Sequence, residues 1–346
     1  MRVAVYTIAL NEIKHVERWV KSNSGADVLF VLDTGSTDGT VEKLRELGVT
    51  VQEATINPWR FDVARNTALS LLPNDVDVCV SIDMDEVPAP DFFIKLRKQW
   101  KKNANKGWVF MDTGTQWATD RIHSRHGYYW VSPIHEVISP SMGTKIKPCS
   151  IETYITHRPD NSKSRDQYLS MLKAAVEEDP KDQRMLVYLV REYYFHAQWQ
   201  RAIDTTNKLL PDHWDRELAQ SYRLAGWSAV NLNDLKQAGT WFNNAVDACK
   251  DSIESWTTLA QYHYQMKNWN ECEWSAMQAL TKEVTTDYMS DPSCVWRAND
   301  LLSLALWELE NRQEALKYAK IALNLNPTDK RLKANVDFYK KVLLNS

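Results

Sequence analysis

An apolar run, Val78-Cys-Val-Ser-Ile82, leads into Asp83-Met84-Asp85-Glu86 and then Pro88. This order places three acids at the carboxyl end of a strand. Alternation along a strand puts Asp83 and Asp85 on one face and Glu86 elsewhere. Two hard oxygen ligands on one face suit Mg²⁺ or Mn²⁺ that is also held by substrate phosphates. The plainer alternative is an acidic turn that caps the next helix. A second acid-bearing strand end is Phe30-Val-Leu-Asp33-Thr-Gly35-Ser36-Thr37-Asp38-Gly39-Thr40. Gly35 and Gly39 permit a tight turn, and Ser36, Thr37 and Asp38 can cap a helix starting near Thr40. Capping does not account for Asp33, which stands on the strand side of the turn, where a ribose hydroxyl or base edge can be bound.

The elements that must carry these acids alternate between strand and helix patterns. Arg2–Leu10, Val28–Asp33, Val49–Ala54 and Asp77–Asp83 read as strands, with amphipathic stretches Glu12–Lys21, Thr40–Leu47, Asp62–Leu72 and Asp91–Lys102 between or after them. Such alternation predicts a mostly parallel, Rossmann-like sheet with flanking helices, and ligands in such sheets sit outside the carboxyl ends of the strands. Gly107 to Arg158 is irregular and aromatic, as expected for loops and short strands closing over a site. The polar stretch Arg158–Arg165 is the expected linker, giving domains 1–160 and 161–346. Beyond it, Ala202, Ala238, Cys272 and Ala315 occupy equivalent positions at intervals of 36, 34 and 43 residues. A period of about 34 residues marks tetratricopeptide helix pairs. Four repeats are expected, with Leu332–Leu344 as a capping helix and an insertion near Glu283–Pro292.

Composition bounds the partners. Lys and Arg number 42 against 45 Asp and Glu, so no global basic field exists to hold a polyphosphate backbone. The five scattered cysteines lack a Cys-x-x-Cys pair, which points to a reducing, cytoplasmic setting without structural zinc. No apolar run approaches the roughly 18 to 20 residues of a membrane helix, so no membrane partner is expected. Neither Gly-x-Gly-x-x-Gly nor the P-loop pattern occurs, which removes those two nucleotide-binding readings.

Asp33-Thr-Gly-Ser-Thr-Asp-Gly-Thr40, Asn57-Pro-Trp-Arg-Phe-Asp-Val-Ala-Arg65-Asn66 and Ile82-Asp-Met-Asp-Glu86 together resemble family 2 glycosyltransferases of the GT-A fold. The likeness is to the subgroup with tetratricopeptide (TPR) repeats behind the catalytic domain. Tyr129-Trp-Val-Ser-Pro-Ile-His135-Glu136-Val137 and Ile155-Thr-His157-Arg158 resemble its later blocks. The resemblance implies that Thr7, Asn11, Glu12 and Asp33 contact the nucleotide of a sugar donor, a UDP-sugar above all, and that Arg65 and Asn66 face the donor. It implies that Asp83 and Asp85 form the Asp-x-Asp element, with Asp85 the direct ligand of Mn²⁺ or Mg²⁺ and His135 completing the metal site. The Gln-x-x-Arg-Trp block and membrane helices of processive synthases are missing, which implies non-processive transfer to a soluble acceptor.

Family 2 enzymes are inverting by this resemblance, and one general base suffices for a single displacement. Glu136 is the first candidate, with Asp112 and Glu86 as alternatives; Glu136 can instead orient a metal-bound histidine. His123 and His126 fit no zinc spacing and read as loop residues. The basic run from Lys95 to Lys106 reads as a solvated helix face or an anionic acceptor patch. Trp59, Trp117 and Trp130 are candidates for sugar or base contact. The repeats are expected to bind a protein, glycan or small-molecule acceptor, to pair two subunits, or to brace the catalytic domain. Two other classes remain open: a nucleotidyltransferase, and a TPR adaptor with an inactive sheet domain.

Overall fold

The computed structural model describes residues 1–112, 116–159, 167–285 and 291–345. The chain divides into two compact units, Met1–Met171 and Leu172–Ser346. The first holds ten strands and four helices among its described residues: β1 (Val3–Ala9), α1 (Ile13–Ser22), β2 (Val28–Asp33), α2 (Thr40–Glu46), β3 (Thr50–Glu53), α3 (Phe61–Ser70), β4 (Val78–Ser81), β5 (Glu86–Pro88), α4 (Phe92–Gln99), β6 (Lys106–Asp112), β7 (Gln116–Ser124), β8 (Tyr128–Val131), β9 (Val137–Pro140) and β10 (Pro148–His157). Eight of the strands form one sheet in the order β3-β2-β1-β4-β7-β6-β10-β5, and β8 pairs with β9. Only β7 and β5 run against the other six.

Both faces of this sheet are covered, which explains the nearly continuous apolar character of β1, β2 and β4. Along β1 the alternation is strict. Val3 and Val5 face one core with Val16 and Trp19 of α1, while Ala4 and Tyr6 face another with Ala68 and Leu69 of α3. The strand order reverses at β1, because β2 lies on one side of it and β4 on the other. That reversal opens a crevice at the carboxyl ends of β1 and β4, where ligands of such sheets bind.

The division between units falls inside α5 (Gln167–Glu178), not in the polar segment before it. The first turn of α5 belongs with the sheet unit because Tyr168 sets its ring edge-on to His135, with centroids 5.9 Å apart. The second unit continues as helical hairpins: α6 (Gln183–Phe195) with α7 (Trp199–Thr206), α8 (Asp215–Asn231) with α9 (Leu235–Ala248), α10 (Ile253–Gln265) with α11 (Trp269–Leu280), and α12 (Ser293–Glu308) with α13 (Arg312–Leu325). The last helix, α14 (Lys330–Asn345), packs against α13. Ala197, Asn233, Lys267 and Glu310 each adopt a left-handed φ between the two helices of a hairpin. At each turn two backbone N–H groups reach back to the ends of the first helix, as in Gln198 N to Tyr193 O at 2.8 Å and Ala197 N to Tyr194 O at 3.0 Å. These turns recur at the intervals seen in the sequence, so one cap geometry underlies the repeat. Half of the expected insertion, residues 286–290, lies outside the described residues. Among the described residues no helix is long and apolar enough to cross a membrane.

Candidate active site

Beyond β4 the chain keeps alternating for three residues. Ile82 and Met84 turn into the core, so Asp83 and Asp85 turn the other way, as the spacing requires. Glu86 folds back instead: its Oε2 accepts from the Asp83 N–H at 2.8 Å, while the Glu86 N–H donates to the Asp83 carbonyl at 2.9 Å. This reciprocal pair holds the turn rigid and spends one Glu86 oxygen on backbone. Its other oxygen accepts from Arg121 of β7 at 2.9 Å.

Asp83 sits in the crevice at the strand-order reversal. Its Oδ1 lies 3.2 Å from the Thr7 hydroxyl of β1 and 2.9 Å from Arg65 Nη2, and Arg121 Nη1 stands 3.6 Å from Oδ2. Burial alone would raise this carboxyl, but Arg65 and Arg121 outweigh it and hold it at about 2. Burial pushes Glu86 up to about 7 despite Arg121. Asp85 has a different neighbour. The antiparallel pairing of β5 with β10 sets His157 opposite Glu86, and His157 Nε2 comes within 3.1 Å of Asp85 Oδ2. The hydrogen bond to Asp85 lifts the His157 imidazole above its usual range. The backbone is pinned as well, with the Arg158 N–H donating to the Asp85 carbonyl at 2.8 Å.

Arg65 organises the floor. Its Nε pairs with Glu136, Nη1 donates to Ser81 Oγ at 3.1 Å, and Nη2 pairs with Asp83, so the planar fork joins α3, β4 and the segment after β8. The guanidinium lies over the Trp130 ring, 5.0 Å from its centroid. Asn66 grips the same tryptophan through its backbone: Nδ2 donates to the Trp130 carbonyl and Oδ1 accepts from its N–H, both at 2.8 Å.

The sequence-derived residues therefore separate by task. Thr7, Arg65, Asp83, Asp85 and Glu136 converge at one strand-end cluster, Glu86 lies beneath it, and Asn66 clamps β8. Asp33 is spent on its own loop, accepting from the Gly35 and Ser36 N–H groups at 2.9 and 2.8 Å and from the Ser36 hydroxyl at 2.6 Å. Asn11 and Glu12 knit that loop to α1: the Asn11 N–H donates to Ser36 Oγ, Asn11 Oδ1 accepts from Thr37 N–H, and Glu12 N–H donates to Thr40 Oγ1. Asp112 ends β6, paired in register with Thr156 of β10, one residue before His157. Trp130 is buried beneath Arg65, and Trp117 is partly buried against the core. Trp59 sets its ring edge-on to Phe61. The imidazole beside Asp85 is His157, whereas His135 packs against Tyr168. Ser81, Arg121 and the pairing of His157 with Asp85 carry no local sequence signal beyond the place of His157 in Ile155-Thr-His157-Arg158.

Among the described residues no three His, Cys, Asp or Glu side chains form a metal cage. The Asp85–His157 pair still fits a cation. Neighbouring ligands on an octahedral ion with bonds near 2.1 Å stand about 3 Å apart, and Oδ2 and Nε2 are 3.1 Å apart. Both side chains keep about a third or less of their surface exposed, at 27% and 32%. Two protein ligands suffice where substrate phosphates and water complete the shell, and an imidazole favours Mn²⁺ over Mg²⁺.

No curated protein matches the chain. Among solved structures it is similar to MamA, at 18% identity over 47% of this chain and 88% of that one, with a TM-score of 0.40. It is similar to YrrB, a TPR protein with an unusual peptide-binding site, at 17% identity over 50% and 82%, with a TM-score of 0.39. The N-terminal domain of stress-induced protein-1 from C. elegans shares 17% identity over 36% and 97%, with a TM-score of 0.32. The model of glycosyl transferase family 2 matches residues 4–158, which span the sheet, the Asp83–Asp85 turn and His157. Residues 4–158 are thus a glycosyl transferase family 2 domain, and the chain carries it ahead of helical hairpins of tetratricopeptide type.

Proposed function

We propose that the sheet unit transfers a sugar from a nucleotide-diphosphate donor, a UDP-sugar first, to a soluble acceptor, with inversion and one sugar at a time. The observation that carries this reading is the unequal treatment of the two aspartates. Asp83 is held ionised by Arg65, Arg121 and Thr7 at the crevice, a fixed acceptor for donor hydroxyls. Asp85 has only an imidazole against its carboxylate among the ion pairs found there, so the pair can open towards a cation.

Asp85 and His157 would hold Mn²⁺ or Mg²⁺, which supplies neutralisation of the departing diphosphate. Thr7 and Asp83 orient the donor. The base must take the acceptor proton as its oxygen attacks the anomeric carbon. Glu136 gives one oxygen to Arg65, whereas both oxygens of Glu86 are taken, by Arg121 and by the Asp83 N–H. Asp112 ends β6 beside the last residues of β10, and on that position we assign it as the base. Acceptor recognition is assigned to the helical hairpins.

Calorimetric titration of the full chain with a panel of nucleotide sugars, with and without Mn²⁺, tests this reading. Cation-dependent donor binding that disappears in Asp85→Asn and weakens in His157→Ala supports it. Absence of binding to any nucleotide sugar would leave an adaptor with an idle sheet domain. Asp112→Asn should bind donor normally yet turn over at least a hundredfold more slowly; normal turnover would remove Asp112 as the base.

A further inference from the structure

Five lysines gather at the amino-terminal ends of β6 and β10, the end of the sheet opposite the candidate site. Lys98, Lys101 and Lys102 lie at the end of α4 and in the turn after it; Lys145 and Lys147 lie in the segment entering β10. Asn105 joins the two stretches. Its N–H donates to the Lys147 carbonyl at 2.9 Å, its Oδ1 accepts from the Lys147 N–H at 2.7 Å, and its Nδ2 donates to the Lys145 carbonyl at 2.9 Å. The Tyr128 hydroxyl donates to the same Oδ1 at 2.9 Å. The lysines therefore stand on one stitched ledge. All five are exposed, and none has an ion pair among the described residues. Nearby Lys95, Arg97 and Lys106 are by contrast paired with Asp91, Asp27 and Asp120.

The ledge also carries bare apolar side chains. The Thr144 N–H donates to the Ser141 carbonyl at 2.9 Å, and Gly143 has φ +83°, so Ser141–Thr144 forms a turn with Met142 at its corner. Met142 is 104% exposed, Ile146 between two of the lysines is 48% exposed, and Ile94, one helical turn before Lys98, is 71% exposed. Unpaired lysines together with exposed aliphatic tips match a bilayer surface, where lysines sit among anionic headgroups and apolar tips enter the acyl boundary.

We propose that this ledge docks the protein onto an anionic lipid surface. The contact is peripheral and needs no spanning helix, so it lies outside what an absent transmembrane run can exclude. Charge complementarity selects the partner: five uncompensated positive charges stand together on a chain of net charge −3. Single-stranded nucleic acid would use aromatic platforms for stacking, whereas the tips here are Met142, Ile146 and Ile94. Along β6 the ledge lies about 20 Å from Asp112 at ordinary strand rise, which keeps the donor crevice away from the bilayer.

Flotation of the full chain with phosphatidylcholine vesicles, with and without phosphatidylglycerol, tests the proposal independently of any transferase activity. Binding is expected only with phosphatidylglycerol and should fall as salt rises. The Lys101→Gln/Lys147→Gln variant should lower partitioning roughly thirtyfold, about fivefold for each charge. Met142→Ser should lower it severalfold without changing the salt dependence. These positions are exposed, so circular dichroism should match the parent. Equal binding to both vesicle types, no binding to either, indifference to the lysine substitutions, or binding to single-stranded RNA but not to vesicles would each overturn the proposal.

Discussion

Replacing Tyr6 by Phe removes one oxygen from the buried layer beneath the candidate site. The Trp130 indole N–H donates to Tyr6 Oη at 2.8 Å, and Tyr6 Oη lies 2.9 Å from His123 Nε2. His123 Nδ1 lies 2.9 Å from the Ser124 carbonyl, which can only accept, so Nδ1 carries the proton and Nε2 must accept from the tyrosine. The three side chains are buried beside Ala4, Phe30, Leu32 and Cys79, where water cannot replace a lost partner. The substitution leaves an indole N–H and an imidazole lone pair unpaired, each worth about 1–3 kcal/mol. Partial relaxation brings the expected loss to about 3 kcal/mol. Tryptophans occur in both units, so bulk fluorescence would mix two transitions. Hydrogen exchange resolved by peptide separates them. The slowest amides of β1 and β4 should exchange roughly a hundredfold faster, at 1.36 kcal/mol per decade, while those of α8 to α11 stay unchanged. Tyr154→Phe, at an exposed ring, should shift nothing beyond about 0.5 kcal/mol. Parent-like exchange in Tyr6→Phe would show that the hydroxyl does not join Trp130 to His123.

The same histidine sets a pH dependence. Burial lowers His123 from 6.5 to about 4, so the unfolded chain takes up this proton first as pH falls; stability should be intact above pH 6.5 and decline towards pH 4 by about 3 kcal/mol, and His123→Gln should flatten that part of a urea-midpoint profile. Arg65→Lys keeps a charge but cannot bridge Asp83, Ser81 and Glu136 together, so it should destabilise the sheet unit by about 3 kcal/mol and weaken donor binding at least tenfold by calorimetry; full retention of both would mean that a point charge suffices. Gly226→Ala would drive a methyl into the Phe242 ring, inside van der Waals contact, and should cost the helical unit about 1–3 kcal/mol without altering exchange in β1.

What could be read beforehand follows the range of the forces involved. The carboxylate turn was legible because Ile82 and Met84 must be buried, and period-two alternation then dictates where Asp83 and Asp85 point. The repeat was legible because every hairpin reuses one cap and one close helix approach, as at Gly226 against Phe242. The antiparallel strands β5 and β7 were not legible. Their places depend on pairing with distant strands, and β5 has only three residues. An acid and an amide at strand ends have the same composition whether they hold a nucleotide, their own loop or both, so the loop bonds of Asp33 and Asn11 could not be read from the sequence. Only the observed bonds to Ser36 and Thr37 show that the loop uses these groups.

Choosing between His135 and His157 shows the same limit more sharply. Both follow short β-rich stretches, and both lie in blocks that resemble one family. Nothing local ranks one above the other. The ranking comes from β10, which runs parallel to β6 and then offers its last residues to β5 in antiparallel register, His157 opposite Glu86. That pairing carries an imidazole across 72 residues to within 3.1 Å of Asp85. His135 instead leaves β8 with a left-handed φ of 53° and meets Tyr168. Its neighbour Glu136 is the residue that reaches the cluster, through Arg65. The closing segment thus contributes a carboxylate that braces Asp83 through Arg65, while β10 contributes the imidazole that faces Asp85. In the proposed transferase, a two-aspartate turn with one member braced and the other left to an exchangeable imidazole would have a preformed donor side and an adjustable cation side. That asymmetry requires Arg65 and His157 to arrive on opposite flanks of one turn, as α3 and β10 deliver them.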